Sequence, residues 1–439
     1  MTLHYTDDRA TIYHGDCIEV MRTLPDNGVD AVVTDPPYGL EFMGKDWDAP
    51  WKQAGDVIAD PASVGGFQDG AGGNPFSRSR IRYGREDGAS IGFQLWFTDV
   101  ATEALRVLKP GGHLLAFGGT RTWHRLAVAI EDAGFEVRDS IAWMYGSGFP
   151  KSHDVSKGID KAAGVEREVL GTRTLKDIRG GNYNGPQPTM EHNDTAPPTP
   201  AAQQWQGWGT ALKPAHEPIV VARKPLIGTV AANVLRHGTW ALNIDGCRIG
   251  MSSDDAAKSA NNWKPQGYES KDNIYDIGTK VIATEQNLTG RWPANVILDE
   301  SQAAALDAQS GVTSSPTRVT RGPDRNPSSF SLRTEAEVAD CYGDSGGASR
   351  FFYIAKASSS ERPREDGIAH PTVKPLRLME YLCRLVTPPG GTILEPFAGS
   401  GTTIEAALNE GFNVIGIEMT DEYLPLIIER IQRHGEKLW

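Results

Sequence analysis

The chain has 439 residues, 56 Asp/Glu against 44 Lys/Arg and a formal net charge of -12. That length allows two or three domains with a well-buried core. No run of 18 or more apolar residues is present to cross a membrane as a helix, and the polar, acidic start "MTLHYTDDRA" is unlike a signal or transit peptide. The cysteines Cys17, Cys247, Cys341 and Cys383 are scattered, with neither zinc-ligand nor redox spacing, so no metal site is expected and a reduced, cytoplasmic-type environment is.

The negative charge is not evenly spread. Residues 151–370 carry 25 Lys/Arg against 26 Asp/Glu, which leaves 44 − 25 = 19 against 56 − 26 = 30 for the rest. A nucleic-acid face in the neutral middle would therefore not show in the overall charge, although an ordinary solvated surface has the same composition.

The first 150 residues alternate strand-like and helix-like segments, the signature of an α/β fold. "TIYHGD" and "VDAVVTD" read as strands around a short helix from Cys17 to Leu24, with "PDNG" as the turn. The second strand stops at Asp35 because Pro36 and Pro37 have no N–H for a ladder. They must lie past the strand's carboxyl end, the end at which open α/β sheets bind ligands. Residues 43–90 are rich in Gly, Asp, Ser and Arg and include Arg78, Arg80, Arg82 and Arg85. So long a loop predicts either a mobile cover over substrate or a solvated linker.

Trp96, Val100, Ala104 and Val107 recur at helical spacing. "KPGG" ends that helix, "HLLAFGG" is the next buried strand, and "RTWHRLAVAIEDAG" and "FEVRDSIAWMYG" add a helix and a strand, completing half of a doubly wound sheet. From about Lys151 to Arg350 the periodicity weakens. "NGPQPTMEHNDTAPPTPAAQQWQGWG" reads as a loop, while "EPIVVARKPL", "WALNIDGCRI" and "PANVILD" suggest strands of an irregular β-containing domain. The α/β pattern returns with "RFFYIAKA" and a helix from Pro375 to Leu385.

The last stretch, "GTILEPFAGSGTTIEAALNEGFNVIGIE", is strand, glycine turn, helix and strand. Gly399 and Gly401 let a ligand approach the backbone, the helix start offers free N–H groups, and Glu418 at the next strand's tip is placed to hold both hydroxyls of a ribose. A nucleoside-containing cofactor fits this arrangement better than a purely structural turn.

"TDPPYGL" with "EPFAGSGTT" resembles the amino-group DNA methyltransferases that use S-adenosylmethionine. The order, "DPPY" first and "FAGSG" last, looks like their β group, a circular permutation of the usual order. "HGDCIEVM", "LKPGGHLLAFGG" and "HPTVKPLRLMEYLCRLV" are further matches, and the likeness covers about 1–150 and 350–439. It implies a Rossmann-like doubly wound methyltransferase sheet, circularly permuted, with an inserted irregular target-recognition domain. The catalytic half is then 1–150, the target-recognition region 151–350, and the cofactor half 351–439.

By the resemblance, Asp35 and the Pro36 carbonyl accept the hydrogens of an exocyclic base amine and localise its lone pair. Pro36 and Pro37 supply rigidity, and Tyr38 offers a face for a base taken out of the duplex. The turn residues Gly399, Ser400, Gly401 and Thr402 hold the methionine part, with Phe397 against the cofactor. Glu418 holds the ribose, and Asp16 and Cys17 lie near the adenine, with a helix N-cap as the competing role for Asp16. Thr372 and Lys374 match a segment packed over the cofactor's carboxylate, and a surface lysine is the plain alternative for Lys374. Glu395 stands where the family usually has Asp, within reach of the cofactor's amino group.

Cytosine C5 chemistry is not expected, because no Pro-Cys motif is present. The activity implied is a site-specific methyltransferase on double-stranded DNA acting at N6 of adenine, with N4 of cytosine as the alternative. A non-catalytic nucleic-acid-binding protein on a degenerate fold is the reading from another class. The resemblance leaves room for a homodimer in a prokaryotic or phage-borne setting. No nuclease site is evident in the sequence, so any cognate restriction endonuclease would be a separate chain.

Overall fold

The structure is a computed structural model that describes residues 1–39, 89–146, 148, 152–176, 189–251, 290–314, 318–321, 337–340, 344–355 and 373–436. They form two compact units, one of Met1–Gly146 with His216–Trp439 and one of Ser147–Ala215.

The main sheet of the larger unit has ten strands among the described residues: β1 (Thr2–Thr6), β2 (Ala10–His14), β3 (Val29–Thr34), β4 (Leu108–Phe117), β5 (Glu136–Met144), β8 (His216–Arg223), β9 (Val296–Asp299), β10 (Tyr353–Ala355), β11 (Thr392–Glu395) and β12 (Asn413–Glu418). β6 (Glu168–Lys176) and β7 (Thr189–Ala196) belong to the smaller unit. The spatial order is β1-β2-β12-β11-β3-β4-β8-β5-β9-β10. β1 and β8 run antiparallel to their neighbours, and the other pairings are parallel. All six residues of β3 are buried, as a central strand covered on both faces requires. Its interior carboxylate, Asp30, accepts from Lys109 Nζ at 2.6 Å and from the Thr392 amide at 2.8 Å, which ties β3 to β4 and β11 at the base of the sheet.

Side chains alternate across the sheet with the strand period of two. Val32, Leu114 and Leu394 pack with helices α1 (Cys17–Met21), α2 (Ala89–Val107) and α3 (Trp123–Asp132). Ala31, Val33, Leu115 and Ile393 face the other way, into a core with α8 (Leu376–Val386), α9 (Thr402–Asn409) and α10 (Leu424–Glu436). The sheet is therefore doubly wound, as the alternation of elements predicts. The loop expected at 43–90 falls on residues 40–88, outside the described residues, and its last two positions begin α2.

The middle region departs from its reading in three places. "EPIVVARKPL" and "PANVILD" are strands, but they join the central sheet as β8 and β9. "WALNIDGCRI" forms no strand: it holds a 3-10 turn, Asp245–Cys247, where Asn243 Oδ1 accepts the Gly246 amide at 3.0 Å, and Ile249 makes a single antiparallel bridge with Arg291. The stretch read as a loop contains β7 (Thr189–Ala196), paired antiparallel with β6 (Glu168–Lys176) from Glu168↔Ala196 to Lys176↔Thr189. It also contains α5 (Pro200–Gln204), whose N-cap Thr199 accepts from the Ala202 amide. A hairpin strand such as "TMEHNDTA", with no run of apolar alternation, gives no hydrophobic period to detect. In the same unit α4 (Val155–Ala162) begins at Asp154, which caps the Lys157 amide. α6 (Val230–His237) and α7 (Glu300–Ser310) belong to the larger unit.

Candidate active site

The parallel strands β2, β12, β11, β3 and β4 all end at one edge, and β8, running the other way, begins there. Chain direction alone thus brings Asp16, Glu418, Glu395, Asp35 and Glu217 to the same rim of the sheet.

At the end of β3 the two prolines end the ladder and the chain turns outward. Thr122 Oγ1 donates to the Tyr38 carbonyl at 2.7 Å, and the bare Cα of Gly119 lies against the Tyr38 ring, where a Cβ would come within 3.1 Å of Cδ2. Held in this way, the Tyr38 hydroxyl lies 3.0 Å from Asp35 Oδ1 and 2.9 Å from Glu217 Oε2. The Lys374 ammonium enters the same cluster, 2.7 Å from Asp35 Oδ2, 3.0 Å from the Tyr38 hydroxyl and 3.2 Å from Glu217 Oε2. Lys374 is only 8 % exposed, which rules out the surface role.

Burial would pull the Lys374 ammonium down, but Asp35 and Glu217 hold its pKa above the ordinary lysine value. Burial and the same two carboxylates push the Tyr38 phenol well up, so it stays a neutral donor. Aromatic rings wall the cluster. The Phe117 ring centroid is 4.9 Å from the ammonium, Trp143 meets Phe117 edge-on at 6.4 Å, and Tyr145 lies 5.0 Å from Trp143. Burial, then Glu217, pushes the Tyr145 phenol up to about 12.

The neighbouring strand tips build a second pocket. After β11 the chain makes a glycine turn in which Gly399 and Gly401 have φ of +51° and +80°, a region that favours glycine. A Cβ on Gly401 would also stand 3.1 Å from Ile427 Cα, so α10 packs directly on the bare backbone. Gly401 caps α9 without a side chain, leaving the helix start to offer its N–H groups. The wholly buried Arg430 braces the turn from beneath, donating to the Ser400 carbonyl at 2.8 Å and pairing with Glu405 at 2.5 Å.

Glu418, 8 % exposed, accepts the Gly399 and Thr420 amides, one on each carboxylate oxygen, both at 2.7 Å. Burial raises its pKa against the pull of those bonds. A carboxylate has about four acceptor sites, so after these two bonds it can still accept from donating hydroxyls such as those of an adenosine ribose. Phe397 lies beside Trp96 of α2, ring centroids 5.7 Å apart, which gives the pocket an aromatic wall.

Glu395 is turned into the protein. Its oxygens accept from Thr34 Oγ1 at 2.5 Å, Thr403 Oγ1 at 2.6 Å and the Phe397 amide at 3.0 Å, and burial pushes its pKa up to about 8. It ties the glycine turn to the strand that carries Asp35. Asp16 is the N-cap of α1, its Oδ1 accepting the Glu19 amide at 3.0 Å, and Cys17 is buried behind it. Thr372 lies outside the described residues. Of the residues singled out in the sequence, Asp35, Pro36, Pro37, Tyr38 and Lys374 gather in the first pocket. Glu395, Phe397, Gly399, Ser400, Gly401, Thr402 and Glu418 line or brace the second, with Asp16 and Cys17 at the adjoining tip of β2.

Two residues escape a sequence reading. Glu217 sits at the start of "EPIVVAR", and only the antiparallel course of β8 brings it to this edge. Trp96 sits in the helical stripe of α2 among core residues, and nothing in its spacing marks it as the neighbour of Phe397. Among the described residues no group of three or more His, Cys, Asp or Glu could hold a metal ion, and no helix is long and apolar enough to cross a membrane.

The family model for DNA methylases, of the N6/N4 type, matches residues 29–429, and the chain belongs to this family. The Type II methyltransferase M.HindIII of Haemophilus influenzae is 22 % identical over 431 residues, covering 96 % of this chain and 94 % of that protein. Among solved structures, the cytosine-N4-specific PvuII DNA methyltransferase overlays with a TM-score of 0.41 at 14 % identity, covering 98 % of this chain and 92 % of the other. A complex of M1.HpyAVI with SAM overlays with a TM-score of 0.37 at 16 % identity, covering 96 % of this chain and 98 % of the other.

Proposed function

We propose that this DNA methylase belongs to the permuted β group and transfers a methyl group from S-adenosylmethionine to N6 of an adenine flipped out of double-stranded DNA. The observation that carries the reading is the pairing at one sheet edge of the Asp35 cluster with the Glu418 glycine-turn pocket, on adjacent strand tips.

The cofactor, when bound, supplies an electrophilic methyl on a sulfonium, so no metal and no covalent enzyme intermediate are needed. Glu418 holds the ribose hydroxyls, the turn from Gly399 to Thr402 holds the methionine part, Phe397 packs against the cofactor, and Asp16 and Cys17 lie by the adenine. Asp35 and the Pro36 carbonyl accept the two hydrogens of the target amine. An aromatic amine is a weak nucleophile because its lone pair is delocalised, and two acceptors draw the nitrogen toward tetrahedral geometry. Tyr38, fixed by Thr122 and Gly119, gives the base a rigid stacking face. The remaining task is alignment of nitrogen, methyl and sulfur.

Sequence recognition is assigned to the middle region, about 151–350, since direct readout needs side chains that reach base edges in a groove. The enzyme works in the cytoplasm, and any restriction partner is a separate chain. Asp35 favours adenine, because a carboxylate is the stronger acceptor and Asp is the commoner residue with that base. Digesting DNA from expressing cells to nucleosides tests the reading. N6-methyladenine is expected, and N4-methylcytosine in its place would transfer the mechanism to the other base. Asp35→Ala is expected to lose activity and keep cofactor binding.

A further inference from the structure

The first pocket holds one cation between two carboxylates. Asp35 Oδ2 accepts from the Lys374 ammonium at 2.7 Å, and Glu217 Oε2 lies 3.2 Å from the same nitrogen. On the methyltransferase reading above, on which this inference rests, the group Asp35 must accept during reaction is an exocyclic –NH2. In the structure a lysine ammonium makes that bond instead. A carboxylate bound to an ammonium has part of its charge neutralised and draws less on an amine hydrogen, so full acceptor strength requires the lysine to shift.

Water is a poor alternative partner for it. The Lys374 side chain is 9 % exposed and faces the Phe117 ring, and a buried ammonium that loses its anion is strongly destabilised. Glu217 is the second anion within reach. It is brought there by the antiparallel course of β8 and steadied by the Tyr38 hydroxyl at 2.9 Å. Tyr145 also faces Glu217, and Glu395 lies behind Asp35 through Thr34.

We propose that Glu217 is a positioning residue that takes the Lys374 ammonium from Asp35 when the target amine enters, so that the lysine is a displaceable stand-in for the amine. The exchange swaps one charge-assisted bond for another and strands no charge. No covalent bond is made or broken in it. Without Glu217 the lysine stays on Asp35 and competes with the base.

The test compares the full-length wild type with Glu217→Gln, Glu217→Asp, Lys374→Met and the double variant Glu217→Gln/Lys374→Met. Single-turnover methylation is measured at saturating DNA and S-adenosylmethionine, and cofactor affinity by isothermal titration. Glu217→Gln is expected to slow methyl transfer by about a hundredfold, as for a stranded buried charge, with cofactor affinity unchanged. Glu217→Asp keeps the anion and should fall between Glu217→Gln and wild type.

The double variant removes the competing ammonium as well and should recover about tenfold over Glu217→Gln in the rate of methyl transfer, with cofactor affinity the same in both variants. A wild-type rate in Glu217→Gln, or a double variant no faster than Glu217→Gln, overturns the proposal while leaving the methyltransferase reading intact. A wild-type chain that methylates no DNA removes both. Should Glu217→Gln fail to fold, Glu217→Ala against Glu217→Ala/Lys374→Met makes the same comparison.

Discussion

Replacing Glu418 by alanine tests the cofactor pocket at the point where structure and binding are hardest to separate. The carboxylate does two things. It accepts the Gly399 and Thr420 amides, each at 2.7 Å, and in the proposed function it also holds the ribose hydroxyls. Charge-assisted hydrogen bonds of this kind contribute about 1.5–3 kcal/mol, so Glu418→Ala should weaken S-adenosylmethionine roughly 10- to 150-fold.

The two amides are also left without this acceptor, so the turn itself loosens, and a weaker affinity alone does not identify a ribose contact. A cycle separates the two effects. Isothermal titration of wild type and Glu418→Ala with the product S-adenosylhomocysteine, and with its analogues lacking one ribose hydroxyl, gives the penalty for each hydroxyl in each protein. Wild type should pay that penalty and Glu418→Ala should not, whatever the condition of the turn. Unchanged cofactor affinity in a folded Glu418→Ala protein, or a hydroxyl penalty that persists in it, would remove Glu418 from the ribose.

The support beneath the pocket is open to stability measurements. Gly401→Ala forces a φ of +80° on an L-residue and sets a Cβ 3.1 Å from Ile427 Cα. Urea unfolding should show a loss of about 1–3 kcal/mol, and none would mean the turn relaxes freely. Arg430→Met removes the buried cation that pairs with Glu405 at 2.5 Å and donates to the Ser400 carbonyl, and should cost about 3–5 kcal/mol by the same assay. Glu395 makes stability depend on pH. Its pKa is raised on folding to about 8, so its contribution is present below the ordinary carboxylate range and is lost as pH rises toward 8. While it titrates, the slope approaches a loss of about 1.4 kcal/mol per pH unit. Glu395→Gln should flatten a plot of unfolding free energy against pH between 5 and 8, and an unchanged slope would mean that other groups set it.

Both pockets are legible in the sequence because each lies within a few residues of one strand tip. Proline cannot extend a ladder, so "TDPPY" marks the end of β3 by itself, and "EPFAGSGTT" marks a strand, a left-handed turn and a helix start by local sterics alone. The doubly wound class follows in the same way from the alternation of buried runs and amphipathic stripes. What the chain could not disclose is everything that depends on strand direction and long-range neighbours. "EPIVVAR" and "PANVILD" are recognisable as strands, but whether they form their own domain or enter the central sheet is decided by which exposed edge they complete. The direction of β8 then decides whether Glu217 meets Asp35 or lies at the far end of the sheet.

Lys374 reads equally well as a surface residue or a ligand, because a single lysine carries no period. Its burial between two carboxylates exists only once residues 339 positions apart in the chain are brought together. Local conformational preferences are encoded in short windows of sequence, whereas burial and charge pairing arise only when distant strands share a sheet. The glycine turn was therefore readable in advance, and the ion cluster around Asp35 was settled by tertiary packing.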